Sequence, residues 1–197
     1  MNLTQRLELK RCPHCNIANP NITKVHEFVT NNANETFPRT WMSYVCQSCG
    51  GALIGSKNQQ SARALEFFPS SKAVDENIPD KAKEFLSQSL ETIHAPAGSI
   101  MLSASSIDAM LKEKGYKEGN LYKRIEQAVK NHLITEGMSE WAHQIRLEAN
   151  DQRHADENAE LPTEEDAKRI VDFAFALAEF LFVLLSRVEK AIEKTKE

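Results

Sequence analysis

The chain has no apolar run long enough to cross a bilayer. Its most apolar stretch, Ile170 to Leu185, is broken by Asp172 and Glu179 and is too short to span. Nor does the N-terminus, MNLTQRLELKRC, carry the apolar core of a signal peptide. With no membrane segment and no export signal, the expected setting is the cytoplasm. Positive charge is not in excess either. There are 24 Lys and Arg against 28 Asp and Glu, a formal net charge of −4 and a sequence pI near 5.9. That balance argues against a protein that coats nucleic acid through bulk charge, while leaving room for a local basic patch. There is no internal repeat. At 197 residues, 41% hydrophobic and 26% charged, the chain is long enough for one medium globular domain or two small ones.

Cysteine is confined to four positions, in two pairs of identical spacing: Cys12-Pro-His-Cys15 and Cys46-Gln-Ser-Cys49, the second followed by Gly50 and Gly51. A CxxC pair brings two thiolates to one side of a tight turn. Two pairs supply four soft ligands in tetrahedral array, which suits Zn²⁺. The competing reading is four free or redox-active thiols. A thioredoxin-like redox pair needs a βαβ context, which is missing, and a cytoplasmic setting disfavours disulfides. With Cys12, Cys15, Cys46 and Cys49 as ligands the shell is closed to water, so the zinc is structural rather than catalytic. His14 lies inside the first knuckle and is not read as a ligand. Such a ribbon either staples a β unit too small for a core of its own or contacts nucleic acid or protein. The acidic overall charge weighs toward the staple.

The pattern along the chain predicts an α+β protein. Residues 1–56 read as a zinc ribbon: Leu7–Lys10 leads into the first knuckle, Trp41–Val45 into the second, and Gly51–Gly55 out of it. The Asn-rich Thr30–Glu35 stretch is a loop tip. Residues 57–78 read as a connector, with an apolar Glu66-Phe67-Phe68-Pro69 segment and a polar Ser70–Asn77 stretch. Residues 79–197 read as an all-α bundle. One helix carries Ala82, Phe85, Leu86, Leu90 and Ile93. A second runs from Pro96 to a stop at Gly115. A third covers about Asn120 to Ile134, and a fourth about Ser139 to Asn150 or beyond. A last helix starts at Thr163, where Glu164, Glu165 and Asp166 favour its positive end. Its Ile170–Leu185 stretch is apolar nearly all round, which suits a central helix or one buried in a dimer.

The fourth helix carries Arg146, Asn150 and His154 at i, i+4 and i+8. On one helical face such a row suits phosphoryl chemistry. Histidine moves a proton near neutral pH, arginine stabilises a pentavalent phosphate, and asparagine orients either of them or the substrate. Polar residues on a helix face are more often solvated. The eight acids from Glu148 to Asp166, Asp156 among them, also oppose a polyanion unless they point away. His26, His94, His132 and His143 carry no assigned role.

The order of these features resembles the family catalogued as domain of unknown function 4145, over roughly Phe67 to Ile192. The markers are Phe68-Pro69, Ile78-Pro79, the segment Gly119-Asn-Leu-Tyr-Lys-Arg-Ile125, the Arg146/Asn150/His154 element with Ala149 where the family commonly has glycine, and the acid-capped apolar last helix. Members often carry an N-terminal zinc ribbon. The family is similar to the larger HEPN group (higher eukaryote and prokaryote nucleotide-binding domains), many of them metal-independent endoribonucleases working from a dimer cleft. The resemblance implies an HEPN-like bundle that acts in a prokaryotic defence system. In it Arg146 stabilises the phosphorane, Asn150 orients, and His154 serves as base or acid. Two features depart from the pattern: seven residues separate Arg146 from His154, and Ser105-Ser106-Ile107-Asp108 stands where members often have arginine. The expectation is a homodimer acting on RNA as an endoribonuclease or nucleic-acid-processing effector. The alternative is a non-catalytic module that assembles with a protein partner of a restriction or toxin–antitoxin system.

Overall fold

A computed structural model describes residues 1–69, 73–154, 157 and 160–195. Residues 70–72 of the expected connector and Asp156 of the acidic run lie outside the described residues. The chain divides into two compact units, Met1–Lys72 and Ala73–Glu197. The first is an antiparallel β unit and the second is helical, an α+β arrangement as the sequence pattern predicts. Among the described residues no helix is long and apolar enough to cross a membrane.

The β unit is a five-stranded meander in the order β1 (Arg6–Leu7), β2 (Ile22–Thr30), β3 (Arg39–Cys46), β4 (Ala52–Asn58), β5 (Ala64–Phe68). β3 shows why it forms. Thr40, Met42, Tyr44 and Cys46 are buried, while Arg39, Trp41, Ser43 and Val45 face the other side, the period-2 pattern of a sheet with one covered face. The sheet curls because the first residues return to its far edge: the Leu3 amide donates to Ala62 O at 2.8 Å, and the Ala64 amide to Met1 O at 3.0 Å. Leu3 then sits over Gly55, where a Cβ would stand 2.9 Å from Leu3 Cδ2, so glycine is needed there. The core consists of Leu3, Leu7, Ile22, Met42, Tyr44 and Leu53, with Cys12 and Cys46 at its edge. The Tyr44 hydroxyl is satisfied by Thr4 O at 2.9 Å. β5 falls in the stretch 57–78 that the sequence suggested as a connector. Its alternation was hidden by the run Phe67-Phe68, and it is held by pairing to β4.

The helical unit contains α1 (Asp80–Glu91), α2 (Pro96–Glu113), α3 (Leu121–Lys130), α4 (Glu136–His154), α5 (Glu164–Ala178) and α6 (Leu184–Lys194), the last two joined by a π-helical turn at Glu179–Val183. Its boundaries follow local chemistry. Pro96 occupies the first turn of α2, and Gly115, at φ 97°, ends that region with the Tyr116 amide on Leu111 O. Thr163 and Asp166 form a full capping box on α5. The central element is α2 rather than the last helix: it packs against α1, α3, α4 and α5. Serines allow the close approach of α1, with Ser99 Oγ donating to Ser89 O at 2.7 Å and Ser106 Oγ to Ala82 O at 2.8 Å. Around them lie Leu86, Ile100, Ile107, Met110, Ile125 and Ile145. Ile107 has no exposed surface. Ile107→Ala is expected to lower the stability of the helical unit by about 2–5 kcal/mol through transfer and cavity losses. Urea titration followed by far-UV circular dichroism measures it.

Candidate functional site

The two CxxC turns meet. The sulfur atoms of Cys12, Cys15, Cys46 and Cys49 all lie within 4.8 Å of one another, and the Cys12–Cys49 pair is at 3.9 Å. A disulfide requires about 2.05 Å, so these are free thiols. A tetrahedron of sulfurs about 2.3 Å from a central ion has an edge of roughly 3.8 Å. The Cys12–Cys49 pair is close to that distance, and every other pair lies within 4.8 Å. The knuckles are shaped by their own backbones. The Asn16 amide turns back to Cys12 O at 2.9 Å and the Gly50 amide to Cys46 O at 2.8 Å, with Gly50 at φ 72°. Burial pushes the Cys15 thiol up to about 12. Burial also raises Cys46, but the amides of Cys49 and Ser48 and the neighbouring thiols outweigh it and bring Cys46 down to about 7. As thiols, Cys15 and Cys46 therefore do not ionise together near neutral pH. A bound cation would hold all four as thiolates.

His14 is not part of the cluster. Its ring lies against Gly51, where a Cβ would come within 2.4 Å of His14 Cδ2, and its Nε2 is 2.7 Å from Ala52 O. It ties the first knuckle to β4, which explains both the histidine and the second glycine of the Gly50-Gly51 pair.

In the helical unit, α1 to α4 surround a cleft of about 490 Å³. Five cationic side chains line it: Lys81 from α1, Lys112 from α2, Arg124 from α3, and Arg146 and Arg153 from α4. One carboxylate, Asp108, lines it with them. Asp108 takes Arg124 Nη1 on one oxygen at 2.6 Å and Lys112 on the other. Arg124 is nearly buried and also donates to Lys117 O and Gly119 O, so its charge fixes the α2–α3 turn. Among the described residues Lys81, Arg146 and Arg153 have no carboxylate partner. Arg146 is half-buried, its Nε is fully covered without a hydrogen-bond partner, and its guanidinium carbon lies 5.3 Å from the Tyr122 ring. Tyr122 also meets His143 at 4.8 Å, and His143 Nε2 is 2.8 Å from Glu126 Oε1.

The cleft brings Arg146 and Asn150 together and does not include His154, which is exposed at the last residue of α4. Helical geometry gives the reason. At 3.6 residues per turn a residue eight positions on is rotated by about 80°, whereas one seven positions on is rotated by only about 20°. Arg153, not His154, therefore continues the Arg146 row. Ala149 lies on the cleft wall and is buried, so the small side chain there leaves the space open. None of the described acids between Glu148 and Asp166 lines the cleft. Glu148 instead faces Arg169 at 3.9 Å, and Asp166 caps α5. Where the resemblance leads one to expect an arginine on α2, Ser106 and Ile107 are buried in the core, Asp108 pairs with Arg124 from α3, and Lys112 stands one turn further along α2. Lys81, Lys112, Tyr122, Arg124 and Arg153 were missed by sequence reasoning. Only Arg153 had a local signal, the i+7 spacing.

Chemically, the helical unit is an all-α scaffold around a cationic cleft, preceded in the chain by a four-thiol β unit. The family model described as Domain of unknown function (DUF4145) matches residues 87–195, and the chain belongs to that family. The match contains Arg146, Asn150, Arg153 and His154 and leaves the four cysteines outside it. No curated protein and no solved structure matches the chain significantly.

Removing the carboxylate tests the cleft's construction. Asp108→Ala leaves a nearly buried guanidinium without its counter-charge and is expected to cost about 3 kcal/mol. Lys112→Ala, at a side chain that is 43% exposed, is expected to cost less than about 1 kcal/mol. Paired chemical-denaturation curves compare the two.

Proposed function

We propose that the protein is a nucleic-acid-processing effector whose helical cleft grips a phosphodiester group of RNA. The observation that carries this reading is Arg146, half-buried and without a carboxylate partner, in a cleft with five cations and one carboxylate. A guanidinium with its Nε desolvated and unmatched gains from a phosphate oxygen what it lacks within the chain. Arg153 and Lys81 add charge along the same wall, Asn150 offers an amide to a phosphate or ribose, and Tyr122 offers a ring face. The prokaryotic defence setting follows from the resemblance described above.

In its fuller form the reading includes metal-independent cleavage. A ribose 2′-oxygen bonds to the adjacent phosphorus, the bond to the 5′-oxygen breaks, and the products are a 2′,3′-cyclic phosphate and a 5′-hydroxyl. Arg146 offsets the charge on the phosphorane. His154, one helical turn beyond Asn150, takes the 2′ proton or returns one to the leaving oxygen. The exposure of His154 outside the cleft favours the second reading, a non-cleaving module that holds RNA and assembles with or regulates a nuclease partner. A homodimer belongs to either reading. Leu184, Leu185, Val188 and Ile192 form an exposed apolar stripe on α6, each close to half exposed, which a second copy would cover.

One experiment separates these. Short labelled RNA is titrated with the protein in chelator, and the products are then run on a gel. Arg146→Ala is expected to weaken binding roughly tenfold to a hundredfold. It should also flatten the salt dependence by about 0.7 in log–log slope for each single-strand phosphate that is no longer neutralised. Cleavage lost in both Arg146→Ala and His154→Ala supports the ribonuclease. Binding lost only in Arg146→Ala, with no cleavage by any form, supports the non-cleaving module. Unchanged binding in Arg146→Ala removes the cleft from consideration.

The metal in this reading is Zn²⁺, held by Cys12, Cys15, Cys46 and Cys49 as a closed structural site, with no role in the chemistry. Elemental analysis is expected to return one zinc per chain. Cys46→Ser, or a strong chelator, is expected to abolish the near-UV signal of Tyr44 and Trp41 while leaving helical circular dichroism largely intact. Absence of zinc from freshly purified protein would refute the assignment.

A further inference from the structure

The outer face of the β sheet carries a row of rings that its core does not use. Phe28 on β2 stands directly opposite Trp41 on β3, and His26 lies opposite Ser43 on the same face. The rings are near-parallel neighbours. His26 and Phe28 are 5.9 Å apart at 24°, and Phe28 and Trp41 are 6.4 Å apart at 11°. Trp41 is fixed by its indole N–H, which donates to Thr30 Oγ1 at 2.8 Å. His26 is exposed and Phe28 is 39% exposed, whereas the opposite face of β3 buries Met42 and Tyr44. A solvent-side strand position normally carries a polar side chain, so three aligned rings there are not explained by folding.

We infer that His26, Phe28 and Trp41 form a stacking platform for the bases of a single-stranded nucleic acid. Three observations select that occupant. The ring spacing is about twice the ~3.4 Å rise of a stacked strand, which suits bases drawn apart along an extended chain. The charge is right: residues 1–72 contain eight Lys and Arg against four Asp and Glu, a formal +4, whereas residues 73–197 contain 16 against 24, a formal −8. Replacing four neutral thiols with a zinc–tetrathiolate centre lowers the first figure by two and leaves it positive. Finally, the same face carries arginines beyond the rings. Arg39 lies two residues before Trp41 on β3 and holds Glu66 at 3.0 Å. Arg6 on β1 lies opposite Thr23, which is itself opposite Val45 of the Trp41 face. β3 is paired on both sides and β1 covers only Ile22 and Thr23 of β2, so an added peptide strand would lie along the free edge of β2 and leave the ring face uncovered.

This inference does not rest on the helical cleft, and its test reads a different residue. The chain has two tryptophans, Trp41 and Trp141. In the full-length, metal-loaded Trp141→Phe protein, emission comes from Trp41 alone. Octameric oligouridylate and oligodeoxythymidylate are expected to quench it saturably, because a base stacked on the excited indole accepts an electron from it. Phe28→Leu, which keeps the apolar bulk and removes the ring, is expected to weaken that binding about tenfold. Arg146→Ala should leave the Trp41 quenching unchanged even where it abolishes the cleft's own binding. Absence of saturable quenching by either oligomer overturns the platform. So does unchanged affinity in Phe28→Leu, or loss of self-association in Phe28→Leu without any oligomer effect, which would make the face an interface between copies.

Discussion

Five cationic side chains around one cleft repel one another, and a folded chain tolerates them only where something offsets that repulsion. Here the offset is Asp108. One oxygen holds Arg124 and the other holds Lys112, so a single half-exposed carboxylate joins two turns of α2 to the start of α3. Arg124 is nearly buried, and a buried guanidinium without a partner would cost more than the surrounding packing returns. Asp108 therefore ties the first turn of α3, which the Asn120 cap begins, to α2, and with it Tyr122 on the cleft wall. Arg146 has a covered Nε without a hydrogen-bond partner, as Arg124 has, but no carboxylate beside it. Two of the five cations are thus held by Asp108, whereas Lys81, Arg146 and Arg153 have no carboxylate partner among the described residues.

The β unit solves a different problem. Its core of six large side chains is small for a free-standing sheet, and such units usually need a staple. With the proposed metal bound, the four sulfurs would supply one, joining the first knuckle to the end of β3. His14 lies against Gly51 and bonds Ala52, so the first knuckle is attached to β4 as well as to the cluster. Leu3 over Gly55 does the same for the opposite edge. With both edges closed in this way, the outer face of β2 and β3 is free of folding duties, and its aromatic residues need another account.

What could be read from the sequence depended on range. The cysteine cluster was legible because a CxxC turn is local and the ligand number is fixed by the ion's chemistry. Helix positions were legible from apolar period, caps and Gly115. Of the row read as Arg146, Asn150 and His154, the first two line the cleft and the third does not: a count of four plus four drifts off the face that a count of seven keeps, so Arg153 lines the cleft instead. Lys81, Lys112, Tyr122 and Arg124 come from three other helices, and no local pattern announces a neighbour set by tertiary packing. β5 was hidden for a related reason, since its identity rests on pairing with β4. The apolarity of the last helix suited a central helix or one buried in a dimer; within the chain α2 takes the central place, and its serines let α1 approach closely.

A total of −4 argues against a protein that coats nucleic acid through bulk charge and leaves room for a local basic patch; the total is the sum of a basic β unit and an acidic helical unit. Screening limits each charge's reach to about 8–10 Å at physiological salt, so a ligand responds to the surface beside it and not to the sum. On the helical unit, Glu148 faces Arg169 and Asp166 caps α5, and none of the described acids between Glu148 and Asp166 lines the cleft. In the proposed reading, a cationic cleft in an acidic body would admit a phosphate group or a single strand entering at one place and would disfavour the broad, unspecific coating that a uniformly basic surface allows.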